Sequence, residues 1–341
     1  MRKNYAGIDY FRLIAALMVI GIHIGPLSVL SKGVDYLLTY CLGRIAVPFF
    51  LMTTGYFVLA PYVLSGFQKK RSVYRYFAKS IALYLAATLF YVPIALYSGN
   101  IPHSISEFFK GILFDGTFYH LWYFPAAIMG CVLLILLVRR SIRIAVSFSI
   151  AAYFVGIFGD SYYGLIEKIP LLRWIYDGIF SISSYTRNGI FFAPIFILLG
   201  MLFAFSGVQC SMRKCKTGMV VSLFCMFAEG FTTYCLGLQK HNSMYLFLLP
   251  VMYFLFQILL MIPGKAPGWI RNSSMLLYIV HPAVIVILRG LAKATGLTKL
   301  LIENTIIQYL SVCMLSLAFV FIIQLGMERG KRYVSKRTGL D

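Results

Sequence analysis

Ile8-Asp9-Tyr10-Phe11-Arg12-Leu13-Ile14-Ala15-Ala16-Leu17-Met18-Val19-Ile20-Gly21-Ile22-His23-Ile24-Gly25-Pro26-Leu27-Ser28-Val29-Leu30 is the stretch whose reading decides the fold. An apolar run of this length lets an α-helix cross about 30 Å of hydrocarbon at about 1.5 Å per residue. It is too long for one strand of a barrel and lacks strand alternation. It also reads as a retained span rather than a cleaved leader. Arg12 and His23 interrupt the apolar core, and no small-residue cleavage site follows before the next apolar run.

Comparable runs recur outward from this one. The chain is expected to form helices over 8–30, 37–64, 76–97, 120–138, 142–158, 188–206, 217–237, 243–262, 274–290 and 304–328. The fold class is therefore an all-α integral membrane protein, a bundle of about ten transmembrane helices. Composition agrees: 60% of the 341 residues are hydrophobic and 12% charged, against about 25% charged in ordinary soluble domains. Ser104 to Leu113 reads as a short amphipathic piece at the interface, and residues 159–187 leave room for a re-entrant segment. With no internal repeat, low-complexity tract or linker, residues 1–330 read as one transmembrane domain and 331–341 as a short basic tail.

Orientation follows from Lys and Arg. Twenty lie in segments that would be cytoplasmic if the N-terminus is inside: Arg2, Lys3, Lys69, Lys70, Arg71, Arg75, Lys79, Arg139, Arg140, Arg143, Arg213, Lys214, Lys216, Lys265, Arg271, Arg329, Lys331, Arg332, Lys336 and Arg337. The opposite side carries nine: Lys32, Lys110, Lys168, Arg173, Arg187, Lys240, Arg289, Lys293 and Lys299. Both termini are expected in the cytoplasm, and the chain in a cell membrane as a multi-pass protein. The net charge of +20 then records topology and anionic lipid headgroups, and no nucleic-acid partner is expected. Seven scattered cysteines form no CxxC pair and meet no histidine at metal spacing, so no metal is expected.

Ionisable groups inside spans are costly and hence functional candidates. Arg12 and His23 are eleven residues apart, three turns plus about 20° and about 16 Å of rise, so they share one helix face. A cation near the mouth can hold an anionic donor while an imidazole deeper in takes a proton from an acceptor. Arg12 snorkelling to lipid phosphate and His23 bonding between helices is the structural alternative. His120, Trp122 and Tyr123 open the fourth span as an aromatic belt or a ligand platform. Arg44 sits too deep in the second span to snorkel easily. Arg187 with Asn188, and His241 with Ser243, begin the sixth and eighth spans, where Asn188 or Asn242 would cap and free amides would favour an anion. Ser274, Tyr278 and His281 fall on one face of the ninth span, next to Pro282. Asp9 and Asp160 are the acids to watch; no GxSxG, HExxH, Walker loop or GxGxxG is present.

Those motifs together carry a resemblance. Arg12 and His23, Arg44 followed by Val47-Pro48-Phe49-Phe50 and Thr54-Gly55-Tyr56, His120-Leu121-Trp122-Tyr123, and Ser274 with Tyr278 and His281 resemble the acyltransferase-3 family of membrane acyltransferases, over residue 7 to about residue 325. Tyr119 to Ala126, Gly159-Asp160-Ser161, Thr186 to Phe192 and His241 to Phe247 are most similar to the membrane domain of VanT-type serine racemases. The resemblance implies a bacterial cytoplasmic membrane and transfer of an acyl group, commonly acetyl, from cytoplasmic acyl-CoA (acetyl-CoA) to a hydroxyl of an extracytoplasmic acceptor such as a cell-envelope glycan. It makes His23 the catalytic histidine and Arg12 its aid. It also directs the CoA phosphates to Lys69, Lys70, Arg71, Arg75 and Lys79. The chain departs from the family where many members carry Arg-x-x-Arg entering the third helix: here stand Lys79 and Ala82. The VanT-like likeness implies the alternative, an L-serine transporter or substrate-capturing domain serving a racemase domain, fused or separate. A structural or regulatory subunit would leave the buried ionisable groups without a role.

Overall fold

The computed structural model describes residues 4–99 and 101–338, except the side chains of 271, 272, 328 and 330–338. Arg2, Lys3, Arg271, Lys331, Arg332, Lys336 and Arg337, counted above for orientation, and residues 339–341 of the expected tail lie outside the described residues or side chains. Every regular element among the described residues is helical. We number them α1 (Ala6–Ile24), α2 (Lys32–Leu64), α3 (Lys70–Ser98), α4 (Ile105–Lys110), α5 (Tyr123–Arg140), α6 (Ile142–Phe158), α7 (Tyr163–Ile166), α8 (Pro170–Ile182), α9 (Ala193–Ser206), α10 (Met212–Cys235), α11 (Leu248–Leu260), α12 (Gly268–Ala294) and α13 (Thr305–Thr338). Seven of these, α1, α2, α3, α5, α10, α12 and α13, are long and apolar enough to cross a membrane; α6, α9 and α11 are shorter apolar helices. The chain is a multi-pass membrane protein.

Several expected helices begin later than their apolar runs. The fourth starts at Tyr123, the sixth at Ala193 and the eighth at Leu248, because bends and turns occupy 117–122, 186–192 and 241–247. Residues 159–187 form α7 and α8, with Leu171, Trp174 and Ile182 exposed along α8, as suits a helix lying in the interface. Ser104 caps α4 through the Glu107 amide, and a π-helical turn, Gly111–Asp115, follows.

The chain divides into two compact units, Met1–Ala46 with Leu259–Asp341 and Val47–Ile258. In the first, α1, α12 and α13 pack as a sheaf. Ala16 meets Leu277, Val280 and Val320 in one apolar layer, and Ile20 and Ile24 meet Ile285, Leu288 and Val312 in the next. Numbers rise together on α1 and α12 and fall on α13, so α1 and α12 are parallel and α13 antiparallel to both. α1 ends at Gly25, whose φ of +66° suits glycine. The Asp35 carboxylate then accepts hydrogen bonds from the Leu27 amide (2.9 Å) and Thr39 hydroxyl (2.8 Å), fixing the turn beyond His23.

In the second unit, α2 and α9 approach backbone to backbone. A Cβ on Gly55 would run into the Ile197 carbonyl oxygen, and one on Gly200 into that of Met52. Small residues permit such contact between helices that gain little from burying apolar surface in lipid.

Candidate functional site

In the first unit the structure brings together two of the expected histidines. The His23 and His281 rings stack with centroids 5.3 Å apart and planes 24° apart, and the Tyr278 ring centroid is 6.3 Å from that of His281. His281 is fully buried and its Nδ1 lies 3.0 Å from the Leu277 carbonyl oxygen. A carbonyl only accepts, so Nδ1 carries a proton and Nε2 is the basic atom of the neutral ring. On α12 this histidine lies between the two apolar layers described above. On α13, buried Ser316 lies midway between Val312 and Val320, at the same level. Arg12, nearer the start of α1, binds Asp9 at 3.1 Å. The sequence marked both residues but did not pair them. Arg44 lies in a short 3-10 turn with its guanidinium carbon 5.4 Å from the Tyr40 ring centroid.

The second unit gathers most of the remaining candidates. The Arg187 guanidinium carbon lies 4.9 Å from the Trp122 ring centroid and 4.6 Å from that of Tyr185. Tyr185 in turn packs on His241 at 4.8 Å. Ser243 Oγ is 2.8 Å and Asp160 Oδ2 3.3 Å from the same atom, His241 Nδ1. Burial raises the carboxyl pKa of Asp160, but His241 and the Met244 and Ser243 amides more than reverse this and hold it below the usual carboxylate range. Asn188 is used internally: its Oδ1 accepts from the Ile190 and Phe191 amides, and its Nδ2 donates to Ser183 Oγ and the Tyr185 carbonyl. It therefore shapes the turn that carries Arg187 and caps no helix directly, since α9 starts at Ala193. His120 sits among rings, with Tyr91, Phe118 and Tyr119 centroids 4.9, 5.6 and 5.5 Å away. Buried Tyr123 packs edge-on against Phe50.

Elsewhere in this unit the basic cluster is exposed, at Lys69, Lys70, Arg71, Arg75 and Lys79 alike, and Arg71, Arg75 and Lys79 follow one another at four-residue spacing along α3. Like charges so placed repel, which favours an anionic partner. Beside them Arg139 donates to the Tyr62 hydroxyl (2.9 Å), and a pocket of about 190 Å³ is lined by Tyr62, Lys70, Tyr74 and Phe77 among others.

Glu229 is the buried acid that sequence reading passed over. It lies within α10, and the rule that flags charges inside spans applies to it as fully as to Arg12. Its carboxylate accepts from the Leu246 amide (2.6 Å), the Phe247 amide (3.0 Å) and the Tyr162 hydroxyl (2.9 Å). No group of three or more potential metal ligands occurs among the described residues.

A multi-pass helical membrane protein with a stacked histidine pair in one unit and an aromatic and cationic cluster in the other is the class defined so far. Residues 5–325 match the acyltransferase-3 family, described as an acyltransferase domain, and the chain belongs to that family. It is similar to an amino-acid racemase of Enterococcus faecalis, 38% identical over 99% of this chain and 48% of the relative. It is also similar to a serine/alanine racemase of Enterococcus gallinarum, 37% identical over 92% of this chain and 45% of the relative. The chain thus spans about half the length of these relatives. No solved structure matches.

Proposed function

We propose that this protein moves an acyl group, acetyl in the simplest case, from cytoplasmic acyl-CoA to a hydroxyl of an extracytoplasmic acceptor. The observation that carries the reading is the stacked pair of His23 and His281 within a family of acyltransferases. His23 is the general base. As the acceptor oxygen bonds to the acyl carbon and the CoA thiolate leaves, the hydroxyl proton passes to the imidazole. Two imidazolium rings at 5.3 Å would repel by about 3 kcal/mol at an effective dielectric of about 20. A proton on one ring is therefore opposed on the other, which supports a role in proton transfer. The exposed basic stripe on α3 and the aromatic pocket at Lys70 supply charges and ring faces suited to a nucleotide bearing phosphates.

The same reading takes the chain across the bilayer ten times, with both termini cytoplasmic. Parity supports it. Successive crossings alternate in direction, and seven long helices alone would make α12 the sixth crossing, antiparallel to α1. Counting α6, α9 and α11 makes α12 the ninth and parallel to α1, in keeping with the apolar layers, as would counting one of the three alone.

A second reading, capture or transport of L-serine, is favoured by one observation: Arg187, Tyr185 and His241 cluster in a chain whose relatives include a serine/alanine racemase. A racemase domain, fused or separate, would be the partner. Thermal stabilisation of the purified protein separates the two readings. Acetyl-CoA should raise the unfolding temperature, less so in Arg12→Ala and with His23→Ala still folded. A response to L-serine with none to acetyl-CoA would replace acyl transfer by the second reading.

A further inference from the structure

Of the seven long helices α3 is the least covered by protein: 17% of its apolar stretch is buried, against 22 to 56% in the other six. One of its faces nevertheless has a wall opposite. Residues 105–117 fold back alongside it, where the Tyr84 hydroxyl donates to the Ile112 carbonyl (3.1 Å) and accepts from the Thr117 amide (3.2 Å). Two cavities lie against this face. The first, about 510 Å³, runs toward the end of α3 and reaches His103 and Glu107. The second, about 310 Å³, runs toward its start, along Leu85 and Ile81. Thr88, Ile112 and Thr117 line both, so the two meet there as one groove.

We propose that this groove binds one ester-linked glycerolipid of the bilayer, with an ester carbonyl at Thr88 and Thr117, a hydrocarbon chain along Leu85 and Ile81, and the headgroup toward His103 and Glu107. Three observations converge on that ligand. The first is the change of polarity along the groove. The second cavity is walled almost entirely by carbon, whereas the first ends beside an imidazole and a carboxylate that are both exposed. An amphiphile matches that gradient end to end. The second is a spare donor where the cavities meet. The Thr88 and Thr117 hydroxyl oxygens stand 2.6 Å apart, so one donates to the other and the accepting hydroxyl keeps its own proton to give. In an apolar wall such a donor gains most from an acceptor that arrives with the hydrocarbon. An ester carbonyl, which accepts and cannot donate, is that acceptor. The third is length. The lining of α3 runs from Ile81 to Leu96, about 22 Å of helix, close to one leaflet with its headgroups, roughly 20 to 22 Å.

Other ligand classes match only part of the groove. A free sugar or nucleotide gains nothing from the apolar cavity, and a plain hydrocarbon leaves the threonine donor unanswered. Bound as proposed, the lipid packs between α3 and the 105–117 segment and completes the wall that Tyr84 begins. The inference stands apart from the acyl-transfer reading, since it uses neither histidine of α1 and α12 and its test uses no CoA.

The test is native mass spectrometry of the whole chain in uncharged detergent, titrated with diester phosphatidylethanolamine or with its diether analogue of the same head and chains. The analogue lacks both carbonyls. Wild type should hold one diester lipid roughly three- to tenfold more tightly than the diether, the worth of one net hydrogen bond. Thr88→Val combined with Thr117→Val keeps the shape and removes both partners of the hydroxyl pair, a change that folded proteins tolerate well. This double variant should bind the two lipids equally, at the level of the diether. Thr88→Phe, which sets a ring where the cavities meet, should lower retention of both lipids several-fold. Equal retention of diester and diether by wild type overturns the proposal, as does a double variant that still prefers the ester. Undiminished retention by Thr88→Phe overturns it too. Should the double variant not fold, the wild-type comparison and Thr88→Phe still decide.

Discussion

Glu229→Ala removes the acceptor of three hydrogen bonds at once. The half-buried Tyr162 hydroxyl can turn to another partner, but the Leu246 and Phe247 amides point at the vacated site from a fixed backbone. Each buried donor left without an acceptor costs about 1 to 3 kcal/mol, so the substitution should destabilise by about 2 to 6 kcal/mol in total. Glu229→Gln keeps one oxygen for the Leu246 amide and turns its own amide toward that of Phe247, donor against donor, so about half that loss is expected. The assay is equilibrium unfolding in mixed micelles followed by tryptophan fluorescence. The order should be wild type, then Gln, then Ala. An alanine variant within about 0.5 kcal/mol of wild type, the range of an ordinary surface change, would refute the clamp and weaken the case for a rigid 240–247 segment.

Further outcomes follow from the same geometry. Gly55→Ala or Gly200→Ala places a methyl against a facing backbone carbonyl, so each should cost at least the 1 to 3 kcal/mol, roughly, of an overpacked core; a thermal midpoint equal to wild type would contradict the close approach. A carboxyl whose folded pKa is depressed, as at Asp160, adds stability above its unfolded value of about 3.9 and loses it as pH falls through the folded value. Heat stability should therefore drop on acidification below about pH 4 more in wild type than in Asp160→Asn; equal pH profiles would count against an ionised Asp160. Changing Arg71, Arg75 and Lys79 together to glutamine should weaken acetyl-CoA binding and flatten its salt dependence, whereas unchanged titration calorimetry would leave that stripe to lipid headgroups.

The apolar runs made the helical membrane fold legible, because length and hydrophobicity alone decide whether a segment can cross hydrocarbon. They could not fix the helix starts. Residues 244–247, Met-Tyr-Leu-Phe, are apolar like the helix they precede, and what keeps them out of it is the set of bonds from Asp160, Tyr153 and Glu229, which are distant in sequence. Composition alone does not say whether a polar residue in a span faces a partner. The i, i+4 and i, i+7 pattern of Ser274, Tyr278 and His281 marked a face of α12, but that His281 meets His23 depends on how α1 and α12 pack. Asn188 looked like a ligand or a cap and proves to be the brace of its own turn. Arg187 and His241, fifty-four positions apart, meet on Tyr185, a contact set by tertiary structure.

The central claim is that acyl transfer depends on the histidine pair of α1 and α12. The most direct measurement loads sealed membrane vesicles on the cytoplasmic face with acetyl-CoA labelled in the acetyl group, and follows label appearing in hydroxylated material on the opposite face. Wild type, His23→Ala and His281→Ala would be compared at matched protein levels. The account predicts transfer by wild type, loss by at least about two orders of magnitude in His23→Ala, as for removal of a general base, and a marked fall in His281→Ala. Equal transfer by wild type and His23→Ala would contradict it.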